Sequence, residues 1–150
     1  MYESRTAAQI YALVVGLVFL AIGVTGFVTE AVIVTTGSGS FDEDRHVAIF
    51  TLDPWHSGLY VFAALLGLAA WRRADSARTF AFVVGAIFLV VGCWGLVEFG
   101  FDLGHHIFGL MDVGLADDIA HTVIGVASIA IGFASPQHGE YPPPQTAEFA

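Results

Sequence analysis

Residues 14–28 read VVGLVFLAIGVTGFV, and residues 83–97 read VVGAIFLVVGCWGLV. With a shift of 69 residues, eight of these 15 positions are identical: Val14/Val83, Val15/Val84, Gly16/Gly85, Phe19/Phe88, Leu20/Leu89, Gly23/Gly92, Gly26/Gly95 and Val28/Val97. A second match has an offset of 65 residues. It sets Asp53, His56, Val61, Gly67 and Ala69 against Asp118, His121, Val126, Gly132 and Ala134. The chain therefore reads as two related helical hairpins in tandem, and the fold class expected is an all-α integral membrane four-helix bundle built on that internal repeat.

Composition points the same way. Of 150 residues, 56% are hydrophobic and only 13% are charged, with a mean hydropathy of +0.74; a soluble domain carries about 25% charged residues. A spanning helix needs roughly 17–25 mostly apolar residues. Four such stretches are visible, at about 7–28, 54–71, 79–99 and 119–135. The second and fourth are short, so their polar first turns are expected just inside the membrane boundary. Residues 1–135 form one transmembrane domain in this reading, and residues 136–150, with Pro142, Pro143 and Pro144, form a disordered tail. The first span is longer than a signal-peptide core and lacks a small-residue cleavage site, so it reads as retained.

Charge sets the expected orientation. There is no lysine; Arg5 precedes the first span, Arg72, Arg73 and Arg78 lie between the second and third, and only Arg45 lies elsewhere. Basic loops face the cytoplasm, which puts both termini inside and the long loops, about 29–53 and 98–117, outside the cell membrane. Those loops hold most of the acid. The net charge of −9 leaves no basic patch for phosphates, so nucleic acid is excluded as a partner. An acidic, lysine-free surface points to a halophile, where salt screens self-repulsion. Cys93 is the only cysteine, so no intramolecular disulfide forms, and it reads as a small apolar residue.

Helical spacing separates packing residues from candidates for chemistry. Gly16, Gly23 and Gly26 in the first span, and Gly85, Gly92 and Gly95 in the third, line seams where another helix can approach closely. In the second span the face of His56 continues through Tyr60, Ala63, Gly67 and Ala70; in the fourth the face of His121 continues through Gly125, Ser128, Gly132 and Ser135. Each histidine thus lies on a small-residue face that packs inside the bundle, where an ionisable group at membrane depth belongs. Trp55 and Trp94 fall near one boundary and Trp71 near the other, as an aromatic belt does. Val47 to Leu52 reads as a short extended segment over the bundle.

Asp53 followed by Pro54 is a helix start, with an acid at the N-cap and proline at the first helical position. Asp118 and His121 repeat the spacing without the proline, so Asp53 and Asp118 are both expected as structural caps. The bland role of each Asp/His pair is to close the polar end of a membrane helix. The sharper role is a site: two facing histidines can ligate haem iron or contribute to a zinc or copper centre. If the third span ran on as a helix, Glu98, Asp102 and His105 or His106 would line up on one face as further metal ligands. No nucleophile elbow is present and no serine has a readable base, so there is no catalytic residue to name. His46 and His138 are given no role.

The opening span, GLVFLAIGVTGFV, and the doubled junctions FTLDPWHSGLYVFAALLGLAA and VGLADDIAHTVIGVASIAIGFA carry a resemblance. The chain resembles a family of small prokaryotic four-helix membrane proteins known as a domain of unknown function (number 4383), and in outline it is similar to DoxX-type proteins. In that family an Asn or Asp, two residues and then His open the second and fourth spans, as Asp53/His56 and Asp118/His121 do here. The likeness covers about residues 6–135 and departs in the acidic Gly/Ser loop and the Pro-rich tail. It implies the fold and leaves activity open. The reading that follows is a non-enzymatic packing or partner subunit in the lipid bilayer, self-associating or with a membrane protein partner, and with no cofactor as default. Alternatives are a metal- or haem-binding redox protein using His56 and His121, and, last, an oligomeric channel or transporter.

Overall fold

The computed structural model describes residues 5–36, 46–47, 50–51, 53–101, 105–107 and 111–136. Four helices carry the fold: α1 (Ala7–Thr36), α2 (Pro54–Ala70), α3 (Ala74–Glu98) and α4 (Leu115–Ala134). Two small antiparallel hairpins sit between them. β1 (His46–Val47) pairs with β2 (Phe50–Thr51), and β3 (His105–Ile107) pairs with β4 (Met111–Val113). The class is an all-α bundle, and the strands only cover one of its ends: β2 touches α4 and β4, and β4 touches α2. In place of the single extended segment expected over Val47 to Leu52, the chain doubles back, with His46 opposite Thr51 and Val47 opposite Phe50; residues 48, 49 and 52 lie outside the described residues. The Gly/Ser loop from Gly37 and the Pro-rich tail lie outside the described residues.

Helices α1, α3 and α4 are long and apolar enough to cross a membrane, while α2, with 17 residues, is shorter. Their outward sides are hydrophobic. Val14, Leu17, Val90, Val123 and Phe133 are all exposed, which water would penalise and lipid does not. The protein is a membrane protein by this surface as well as by composition.

Two tight pairs make the bundle: α1 packs on α2, and α3 packs on α4. Glycine permits both. A Cβ on Gly23 would fall 2.7 Å from the Ser57 carbonyl oxygen, and one on Gly16 3.2 Å from that of Ala64. A Cβ on Gly92 would fall 2.6 Å from the Thr122 amide nitrogen, and one on Gly85 3.0 Å from that of Ile129. Each side chain would have to occupy the neighbouring helix backbone, so the absence of one is what lets the axes come together. Ala12, Phe19, Tyr60, Ala64, Phe80 and Val84 fill the middle.

One end of the bundle is laced by hydrogen bonds. The Ala8 amide donates to Ser135 Oγ at 2.9 Å, the Gln9 side-chain amide donates to the Trp71 carbonyl at 3.1 Å, and Arg78 Nε donates to the Gly132 carbonyl at 2.9 Å. Arg5 lies over the Trp71 ring, 4.9 Å from its centroid. Thr6 and Gln9 form a capping box at the start of α1: the Thr6 amide donates to Gln9 Oε1 at 3.0 Å, and the Gln9 amide donates to Thr6 Oγ1 at 3.3 Å. About one turn further in, the Tyr11 hydroxyl bonds Ser128 Oγ, joining α1 to α4.

Candidate functional site

The opposite end collects the acids and histidines. At α2 the local code works as the sequence predicts. Asp53 is the N-cap, Pro54 opens the first turn, and Asp53 Oδ1 accepts from the His56 backbone N–H at 2.8 Å. The cap thus bonds the histidine's backbone, leaving the ring to turn into the bundle, where His56 is buried.

Helix α4 starts differently. Its N-cap is Gly114, and Asp117, at the third helical position, accepts the Gly114 N–H through Oδ2 at 3.0 Å. Asp118 is therefore not the cap. Without a proline after it, nothing stops the helix from running back to Leu115, and the preceding acid takes the capping bond. Asp118 is left one turn inside the helix, fully buried, with its carboxyl group pressed against Gly95 of α3. A Cβ at Gly95 would collide with that carboxyl group.

The two histidines meet. His56 and His121 have ring centroids 5.9 Å apart at an interplanar angle of 49°. They belong to a closed circuit of five rings drawn from all four helices. His56 stacks on Tyr60 at 4.9 Å, Tyr60 meets Phe19 edge-on at 5.0 Å, and Phe19 stacks on Phe88 at 5.4 Å. Phe88 meets His121 edge-on at 4.8 Å, which returns the circuit to His56. Such ring pairs contribute about 0.5–1.5 kcal/mol each beyond their burial. The helical face that predicts His56 and Tyr60 together is visible in the sequence. The contribution of Phe19 and Phe88 is not singled out there, although both are among the identities shared by the two halves.

The remaining candidate ligands do not share one helix. Helix α3 ends at Glu98, with Phe99 as its C-cap and Gly100 at φ 64°. That left-handed residue turns the chain out of the helix, and His105 and His106 lie on β3, opposite Val113 and Asp112 of β4. The helical ligand face through Glu98, Asp102 and His105 or His106 therefore does not form. Glu98 is exposed, and Asp102 lies outside the described residues. Among the described residues no group of three or more His, Cys, Asp or Glu side chains is placed to hold a metal ion. Cys93, read from sequence as a buried residue, is exposed on the apolar outer side.

A family model described as Domain of unknown function (DUF4383) matches residues 9–134. The chain belongs to this family. The matched stretch reaches from the first turn of α1 to the end of α4, so all five rings of the circuit and both glycine seams lie within the DUF4383 domain. No curated protein and no solved structure matches the chain.

Between α2 and α3 the domain is open. These two helices pack loosely compared with the glycine-sealed pairs, and a cavity of about 440 Å³ lies between them. His56 and His121 stand at its acidic end, under Val113 of β4. Ala70 and Thr79 stand at the other end, and the walls between, such as Leu66 and Val83, are apolar and exposed on the lipid-facing side. The slot opens sideways, towards lipid.

Proposed function

We propose that this DUF4383 protein is a non-enzymatic integral membrane subunit that works by holding an apolar partner within the bilayer, with its arginine end in the cytoplasm. The observation that carries the reading is the slot between α2 and α3. The α1–α2 and α3–α4 pairs are sealed by glycine, whereas α2 and α3 leave a volume in the range of ligand sites, roughly 300–1,000 Å³. Arg5, Arg72, Arg73 and Arg78 gather at one end, which supports the orientation by the positive-inside rule. The reading is tested by single-cysteine labelling at Ala63 and Leu66 inside vesicles. Lipid-soluble maleimide should modify both positions faster than a position in the glycine seams such as Ala64. Equal rates would mean that the slot is closed in the bilayer.

A second reading is favoured by the ring-to-ring approach of His56 and His121: a metal held between two imidazoles, which bind metal in the neutral form. The pair offers two ligands where zinc takes four, so further donors would have to complete a zinc shell. Elemental analysis and an optical spectrum of the protein purified without chelators, beside His56→Gln/His121→Gln, decide it. Stoichiometric metal or a Soret band that vanishes in the double variant would establish a cofactor protein.

A further inference from the structure

The polar side chains lining the slot are His56, Tyr60, Thr79 and His121, and the last is distinctive. His121 is 7% exposed, lines the cavity, and its Nδ1 finds no hydrogen-bond partner among the described residues. A buried polar nitrogen left alone costs about 1–3 kcal/mol, and none of the polar groups lining the slot with it bonds this nitrogen. We propose that the slot binds a single-chain lipid with an uncharged hydroxyl head, the head bonded to His121 Nδ1 and the chain lying between α2 and α3. The inference rests on the slot reading above and names its occupant.

Three observations choose the chemistry. First, the slot is long and narrow. It follows α2 from His56 to Ala70, which at 1.5 Å per residue is about 21 Å. One leaflet of a roughly 30 Å hydrocarbon core is about 15 Å deep, so the slot suits a long chain and not a compact metabolite. Second, the described residues bring no arginine to the polar end. Among the described residues the arginines all lie at the other end, and the acids nearest His121 along α4 are Asp117 and Asp118, four and three residues before it on the same side of the helix. A phosphate or carboxylate head would be buried beside acids with no arginine counter-charge among the described residues, at a cost that burial multiplies. Third, a neutral imidazole nitrogen is a donor in one tautomer and an acceptor in the other. A hydroxyl group satisfies either, whereas a carbonyl or an ammonium satisfies only one.

The test uses the full-length protein in lipid nanodiscs and a hexadecanol carrying a diazirine near the chain end, photolysed and mapped by peptide mass spectrometry. Saturable labelling of lining residues of α2 and α3, displaced by excess hexadecanol and not by hexadecyl phosphate, is the expected result. Ala63→Trp should abolish it, and Leu66→Trp, at a position already 47% exposed and so tolerant of bulk, should do the same. His121→Phe keeps the ring against Phe88 and should weaken labelling about tenfold, the scale of one lost buried hydrogen bond, while His121→Gln should retain most of it. Equal displacement by hexadecyl phosphate, with the tryptophan variants still blocking, would overturn the head assignment and leave the slot reading standing. Labelling that neither saturates nor responds to either tryptophan would overturn both.

Discussion

The α1–α2 and α3–α4 hairpins begin their second helices with the same spelling, Asp-x-x-His, and build different things from it. In the first, Asp53 sits at the mouth of α2 and holds the His56 N–H. In the second, Asp118 is inside the α3–α4 seam against Gly95, and Asp117 does the capping. The histidines nevertheless arrive at one place and touch. The position one turn after each histidine differs too. Tyr60 fills the core and stacks on His56, while a Cβ on Gly125 would lie 2.6 Å from the Leu89 amide nitrogen. One hairpin props the centre open with a ring, and the other closes on its partner backbone. A motif at a helix start therefore specifies where a histidine goes more firmly than it specifies what the acid before it does. The neighbour that decides the acid's role is a single proline.

The comparison can be broken most violently at Gly95. Gly95→Leu must displace the buried Asp118 carboxyl group, and overpacking of that kind costs about 3 kcal/mol or more; the variant should fail to give a monodisperse peak in detergent. Transplanting the proline comes next. Ile119→Pro places proline inside α4, where it removes a helical bond at a cost of about 3 kcal/mol, so melting followed by circular dichroism should fall sharply. Pro54→Ala, its counterpart, should change the melt little, because proline at the first helical position costs nothing to lose but its preset angle. Asp53→Ala and Asp117→Ala should then weaken their helices equally, by about 1 kcal/mol each, measured by denaturant unfolding in micelles. A much larger loss for Asp53 would show that its carboxylate supports more than the cap. The smallest effect is Tyr11→Phe, which deletes the bond to Ser128 and should cost about 0.5–1.5 kcal/mol.

Most of the architecture was legible because membrane helices advertise themselves by apolar length, and glycine spacing marks which sides touch. Gly16, Gly23, Gly26, Gly85, Gly92 and Gly95 are all buried as their spacing predicts. The faces of His56 and His121 were legible for the same reason. What was hidden lay at the helix ends. The start of α4 depends on a competition between adjacent acids, Asp117 and Asp118, which spacing alone does not settle. The end of α3 depends on Gly100 taking a left-handed conformation, a choice that glycine permits and does not announce. The slot was hidden for a different reason, since it is a property of how loosely α2 meets α3 and no single residue encodes it.

The bond from the Ala8 amide to Ser135 Oγ joins the first turn of α1 to the residue that closes α4. A ribosome delivers those two groups 127 residues apart. This latch can therefore close only after the last helix has emerged, whereas the neighbouring Gln9 can bond Trp71 as soon as α2 is made. Assembly of this domain is in that sense a loop in time as well as in space: the first of its helices to be made receives a fastening from the last.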